Sequence, residues 1–154
     1  MLISTRFIVV LCTFAILNGC ANMSPAPKVV STDSRACYRN FFSSGSAMSF
    51  KGSTFTSSAL VPGVAVKTAM DRASKQIALD GLTITTLDRE AGLIAASHKV
   101  IAGKGETAPQ IVTFESTKGG VQIGFKFITG FGLISDEDAM RETWCKIIAV
   151  IEKK

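Results

Sequence analysis

Hydrophobic and polar positions divide the chain into segments of different period. An apolar stretch over residues 7–17 is followed closely by Cys20. Residues 21–36 hold two prolines and mostly small or polar side chains, which is typical of a flexible tether. Beyond this segment, apolar residues recur with the spacing of helices and strands. We predict three regions in chain order: a leader over 1–19, a tether over 20–36 and one folded domain over 37–154.

The clearest helical period lies in the middle of the chain, where a helix is predicted over about 63–80. Its apolar side chains recur at i, i+3, i+4, i+7 and i+11 and form one buried stripe: Val66, Ala69, Met70, Ala73 and Ile77. Pro62 and Gly63 precede the helix, and Gly81 follows it, where glycine suits a left-handed cap. A further strand is plausible around 48–57.

Residues 82–128 change to the two-residue period of strands. Four strands are predicted in this region, at about 82–87, 93–101, 110–116 and 121–128. In the last of them one face carries four apolar side chains: Val121, Ile123, Phe125 and Phe127. A sheet with one covered face and one wet face gives this alternation.

A second helix is predicted at the end of the chain. Ser135 is expected to be its N-cap, with acidic side chains in the first turn, where the helix dipole favours them. Its apolar stripe consists of Met140, Trp144, Ile147, Ile148 and Ile151. The predicted fold class is therefore α+β, with two helices packed on one face of a four- to five-stranded antiparallel sheet.

The start of the chain has the parts of an export signal. Arg6 supplies a positive charge, residues 7–17 are almost wholly apolar, and Gly19 is a small residue directly before Cys20. Eleven helical residues reach about 16 Å, roughly half of the ~30 Å hydrocarbon thickness of a bilayer. A permanent membrane span is therefore disfavoured.

The segment Leu17-Asn18-Gly19-Cys20 resembles a lipobox, the site at which bacterial lipoprotein precursors are acylated on cysteine and cleaved. Its leucine and glycine match the pattern, whereas Asn18 is a less usual middle residue. The resemblance implies that Cys20 carries acyl chains such as palmitate and begins the mature chain. Ala21 is not the aspartate associated with inner-membrane retention, so the implied location is the periplasmic face of the outer membrane. The alternative is an ordinary signal peptide with an incidental cysteine.

The cysteine count leads to a second prediction. Of the four cysteines, Cys12 leaves with the leader and Cys20 takes the lipid, so Cys37 and Cys145 remain in an oxidising compartment. We predict that these two form one structural disulfide. A metal site or a redox site is less favoured, because the two cysteines lack the close spacing that such sites use.

A weaker resemblance concerns the run from Ala73 to Ala95, which reads as helix, glycine, strand, acidic turn and strand. This run is similar to small envelope lipoproteins, for example the domains of the C subunit of the β-barrel assembly machinery. The resemblance implies a fold type and a non-enzymatic role.

No catalytic, metal or cofactor motif is found in the sequence. His98 is the single histidine, and no nucleophile or carboxylate can be assigned to it, so a structural role is expected. Residues 103–107 lack the glycine spacing of a phosphate loop and the hydroxyl residue after its lysine. The acidic residues 136–138 are interpreted as helix-capping charges, since a calcium loop spreads its ligands over twelve positions. We therefore expect no enzyme activity and no bound cofactor.

The distribution of charge argues against nucleic acid as a partner. The formal net charge is +5, but the basic residues are scattered among acids, whereas nucleic-acid binding needs a continuous basic surface. Mild attraction to an anionic envelope surface stays open beside the interpretation of a solvated face.

The expected function is that of a binding or adaptor subunit in a cell-envelope complex, anchored by lipid and in contact with a protein partner. Phe41, Phe42 and Phe131 are the candidate contact residues, although the first two could instead be buried beside the disulfide. The alternative function is a module that holds a small apolar ligand between helices and sheet, with the following lining: Val66, Met70, Phe125, Phe127 and Trp144.

Overall fold

A computed structural model describes residues 33–46, 52–99, 107–130 and 135–153, without the side chains of Lys99 and Thr107. All of them belong to one compact unit spanning Ser31–Lys154. The elements in chain order are α1 (Ala36–Arg39), β1 (Phe42–Gly45), β2 (Ser53–Pro62), α2 (Val66–Leu79), β3 (Thr83–Asp88), β4 (Leu93–Lys99), β5 (Thr107–Thr117), β6 (Gly120–Ile128) and α3 (Glu137–Glu152).

The six strands form one antiparallel sheet in the order β1-β2-β6-β5-β4-β3. Strands β3 to β6 each pair with the next strand along the chain, whereas β2 pairs with the last strand. The connection through α2 therefore crosses the sheet from β2 to the far edge. The predicted α+β class is confirmed. The predicted count of four to five strands and two helices is corrected to six strands and three helices within the described residues.

One face of the sheet is covered and holds the core. The predicted alternation in β6 is confirmed, because Val121, Ile123, Phe125 and Phe127 are all buried. The register places matching buried side chains on the neighbouring strands: Phe55, Ala59, Val61, Ile94, Ala96, Ala108, Val112 and Phe114. We call the opposite side the open face, since none of the described helices lies on it.

Helix α2 covers the half of the sheet that contains β3, β4 and β5. Four residues of the predicted stripe are buried, namely Ala69, Met70, Ala73 and Ile77. The helix begins at Val66, later than predicted, because Pro62 still belongs to β2 and Ala65 keeps an extended backbone. Gly81 ends it with a φ of 82°, and the Leu82 amide donates to the Ile77 carbonyl, as in a Schellman cap.

Helix α3 lies beside α2 and runs antiparallel to it. Its predicted stripe is buried at Trp144, Ile147, Ile148 and Ile151. The predicted N-cap, Ser135, is wrong, because the helix begins at Glu137 and the cap position is therefore Asp136. The Asp136 carboxylate accepts hydrogen bonds from the amides of Asp138 and Ala139, at 2.8 and 3.2 Å.

The segment before β2 contains two elements that the sequence pattern did not predict. Its run of serines has no clear period, and α1 and β1 form through long-range contacts instead. A disulfide joins Cys37 to Cys145 with Cα atoms 5.4 Å apart, and β1 pairs with β2. The predicted tether extended to residue 36, where α1 begins, and Arg35 already forms an ion pair with Glu142 at 2.9 Å.

Candidate binding surfaces

The two cysteines of the domain are structural. Cys37 and Cys145 are 2% and 1% exposed and belong to the core, in keeping with the predicted pairing. The Ser57 hydroxyl donates to the Cys37 carbonyl at 2.6 Å, which fixes α1 against β2. Cys20, the predicted lipid site, lies outside the described residues.

The candidate contact residues Phe41 and Phe42 point to opposite sides of the sheet, as successive residues of an extended chain do. The Phe41 ring lies 5.5 Å from Trp144 and 6.2 Å from Phe55, with the Arg141 guanidinium 4.3 Å above it. Phe42 is 57% exposed on the open face. Of this pair, only Phe42 is therefore placed to contact a partner. The third candidate, Phe131, lies outside the described residues.

The open face carries little charge. One cross-strand row runs over five strands: Phe42, Thr56, Lys126, Ile111 and Ala95. The next row consists of small and apolar residues: Ser58, Gly124, Thr113 and Leu93. On the central strands β2, β5 and β6, the charged side chains of this face are Lys126 and Glu115. Leu60, at the end of β2, is 50% exposed.

The two edges of the sheet differ. Strand β3 shifts register between Ile84 and Thr86, and the Thr85 hydroxyl donates to the Ala95 carbonyl at 3.2 Å. A bulge of this kind makes an edge unsuitable for pairing with another chain. Strand β1 is short and continues in register through Gly45, without a bulge or a charged side chain. Edge pairing with a partner is therefore more favourable at β1.

A second surface is a groove of about 330 Å³ between α2 and α3. The lining side chains are Arg72, Lys75, Gln76 and Leu79 from α2 with Val150 and Lys153 from α3. Leu79 is 70% exposed, the largest exposure of any large apolar side chain in the described part of the chain. We call this feature the basic groove, because three of its six lining residues are cations.

The basic groove depends on the antiparallel pairing of the two helices. One nitrogen of the Arg72 guanidinium donates to the carbonyls of Ile151, at 2.6 Å, and Lys153. These bonds satisfy the last carbonyls of α3 and place a cation at the negative end of its dipole. Nearby, the Asp80 carboxylate accepts from Lys146 at 2.5 Å and from Gln76 at 2.9 Å.

A second ion pair holds α2 against the turn between β3 and β4. Asp71 lies 2.7 Å from Arg89 and 3.2 Å from Lys67. The Arg89 guanidinium, followed by the Lys67 ammonium, lowers the pKa of the Asp71 carboxyl below its usual value. The carboxylate nearest to Arg72 and Lys75 along α2 is therefore already neutralised by other cations.

Among the described residues, neither Asp88 nor Glu115 lies beside His98. Its half-buried ring meets Phe127 edge-on at 6.1 Å on the covered face. Asp88 pairs with Leu93 at the other end of β4, and Glu115 belongs to the open face. Over the ranges that the structure describes, no cluster of histidine, cysteine and acidic side chains could hold a metal ion. Likewise, none of the three described helices is long and apolar enough to cross a membrane.

Some buried polar atoms lack hydrogen-bond partners in the described part of the fold. They are both amide atoms of Gln110, the indole nitrogen of Trp144 and one carboxylate oxygen of Asp80. Gln110 is 1% exposed on the covered face, between Ala96 and Phe127. Such groups are uncommon in folded proteins, since burial without a partner costs free energy.

No protein-family model matches this chain, and no curated protein matches it.

Proposed function

We propose that this chain is a lipid-anchored binding subunit of the cell envelope, held at the periplasmic face of the outer membrane through Cys20. Its domain acts without catalysis and docks a protein partner on the open face. The lipobox resemblance of residues 17–20 supports the anchor. The docking proposal is supported by a sheet face that no described helix covers.

The observation that carries the docking proposal is the exposure of apolar side chains at one margin of the open face. Phe42 and Leu60 are 57% and 50% exposed, and the row through Ser58, Gly124 and Thr113 on the central strands consists of small side chains. Exposed aromatic side chains are typical anchors of protein interfaces, whose cores are depleted in charged residues. The outer edge of β1, which pairs with no other described strand, would add strand pairing to such a contact.

The anchor is tested by the mass of the mature protein purified from membranes. We expect a chain that begins at Cys20 and carries acyl chains, and a Cys20→Ser variant that is neither acylated nor cleaved at this position. An unmodified amino terminus at another residue would contradict the proposal.

The docking surface is tested by placing a photo-crosslinking amino acid at Phe42 in cells. We expect a covalent adduct with a defined envelope protein. The matched control places the same group at Glu152, which is exposed on α3, where no adduct with that protein should form. Equal adducts at both positions, or none at position 42, would argue against the open face as the docking surface.

A second candidate function is a module that binds a small, mainly apolar ligand in the core between helices and sheet. The observation in its favour is the buried amide of Gln110, whose oxygen and nitrogen have no partner among the described residues. Native mass spectrometry of the protein from its own membrane would test it. Bound ligand lost in a Gln110→Met variant would support this function, and ligand-free protein would contradict it.

A further inference from the structure

We propose that the basic groove is a docking site for the anionic surface of a bilayer, with lipid phosphates bound by Arg72, Lys75 and Lys153. The inference goes beyond the docking of a protein, because it uses the opposite side of the domain. It rests on the proposed function in one respect: the lipid on Cys20 keeps the domain close to a membrane.

Unpaired positive charge is the first argument. None of the three cations forms an ion pair with a carboxylate among the described residues. The acidic groups close by are engaged elsewhere, since Asp80 binds Lys146 and Asp71 binds Arg89. Glu152, two residues from Val150 along α3, points away from the groove because two helical positions differ by about 200°. The groove therefore favours an anion.

Preorganisation of Arg72 is the second argument. Its side chain is fixed by two hydrogen bonds from one guanidinium nitrogen to the end of α3. A guanidinium has five donors in a planar fork. The bonds of Arg72 to described residues come from one nitrogen, so donors on its other nitrogens can bind phosphate oxygens. A phosphate bound here would therefore meet an arginine that is already held in place.

The apolar part of the groove identifies the source of the phosphate. Leu79 is 70% exposed beside Lys75, and Val150 lies on the other wall. A free phosphate ion makes no favourable contact with an exposed leucine side chain. A bilayer surface satisfies both features, because apolar side chains enter the boundary below the headgroups while cations bind the headgroups. The chemistry of the groove therefore fits lipid better than a soluble anion.

The test uses the acylated full-length mature protein, reconstituted into vesicles, with a photo-crosslinking amino acid at Leu79. In vesicles of phosphatidylethanolamine and phosphatidylglycerol we expect a lipid adduct detected by mass spectrometry. In vesicles of phosphatidylcholine alone the adduct should be much weaker. The same group at Leu60, a leucine of comparable exposure on the open face, should give no lipid adduct.

The second part of the experiment removes positive charge from the basic groove. We expect Lys75→Gln with Lys153→Gln to lower the adduct yield about tenfold or more, since one lysine near an anionic surface changes binding by about fivefold. The control pair, Arg39→Gln with Lys118→Gln, removes the same net charge from sites away from the groove and should leave the yield unchanged.

Four results would overturn the inference. They are no lipid adduct at Leu79, equal adducts in anionic and neutral vesicles, loss of the adduct on adding inorganic phosphate at constant ionic strength, and a protein adduct at Leu79 in cells. The intact mass of the same sample reports acylation of Cys20 independently. If Cys20 is unmodified, flotation of the protein with the two kinds of vesicle replaces the reconstituted assay, so failure of the anchor and failure of the groove are distinguishable.

Discussion

Gln110 places a primary amide in the covered face of the sheet, where no described residue forms a hydrogen bond with its side chain. A buried polar group without a partner costs about 1–3 kcal/mol. We expect Gln110→Met, which keeps most of the volume and removes the polar atoms, to raise the free energy of unfolding by about that amount. Urea denaturation of parent and variant measures the difference.

The control for this prediction is Gln110→Ala, which also removes the amide but leaves a cavity, and should therefore be less stable than the methionine variant. If Gln110→Met destabilises the protein as strongly as Gln110→Ala does, the amide has a partner in the native protein. That result would favour the ligand-binding function.

Two glycines with positive φ give a second prediction at this scale. Gly81 and Gly92 have φ values of 82° and 64°, but a Cβ on Gly81 would meet no atom within 4 Å, whereas one on Gly92 would lie 2.3 Å from the Phe114 carbonyl oxygen. We expect Gly81→Ala to cost about 1–2 kcal/mol through backbone strain alone. Gly92→Ala should cost a further 1–3 kcal/mol or so, because the strands must also separate.

Thermal or urea unfolding of the two alanine variants checks this ranking. Equal losses for both variants would mean that β4 and β5 can move apart freely at this position, which the 2.8 Å hydrogen bond from the Phe114 amide to the Gly92 carbonyl argues against.

Among the elements, α3 offers a test of its starting point. Asp136 accepts two amide hydrogen bonds at the first turn, and loss of such a cap costs about 0.5–2 kcal/mol. We expect Asp136→Ala to lower stability within that range and Ser135→Ala to have almost no effect. Urea denaturation measures both variants. A larger loss for Ser135→Ala than for Asp136→Ala would mean that Ser135 is the N-cap, as the sequence pattern predicted.

How far the sequence predicted the elements depends on whether a local period exists. The stripes of α2 and α3 and the alternation of β6 follow the core directly, because each of these elements buries one side. The segment that forms α1 and β1 has no such signal, since its structure comes from the Cys37–Cys145 bond and from pairing with β2. Strand pairing between distant segments cannot be read from either segment alone.

The candidate surfaces were predictable to different degrees. Phe42 was named from the sequence together with Phe41. Which of the two is exposed depends on how β1 pairs with β2, and the sequence pattern did not predict β1. The basic groove was missed, because Lys75 and Lys153 come together only when α2 and α3 pack antiparallel. One signal was present in the sequence: Arg72, Lys75 and Leu79 fall at i, i+3 and i+7 on the outer side of α2.

For the whole molecule, the disulfide is the main covalent constraint. It closes a sequence separation of 108 residues, and loss of a native disulfide typically costs about 2–5 kcal/mol. We expect the double variant Cys37→Ala, Cys145→Ala to lose stability in this range. Urea denaturation of the double variant should match that of the parent under reducing conditions.

A single variant, Cys145→Ala, supplies the control for pairing. Its Cys37 should be titrated by a thiol reagent after unfolding, whereas the unfolded parent should give no free thiol at either position. A free thiol in the oxidised parent would contradict the bond.

The position of this bond also decides how the domain responds to mechanical force. Consider a force applied between residues before Cys37 and the end of the chain. The disulfide transmits this force from Cys37 directly to Cys145 in α3. The sheet and α2 lie inside the closed loop and carry no load while the bond is intact. In a single-molecule pulling experiment the loop would lengthen only after reduction, by about 360–390 Å at 3.3–3.6 Å per residue. Under the proposed anchoring at Cys20, force on the anchor would therefore leave the open face folded as long as the Cys37–Cys145 bond is intact.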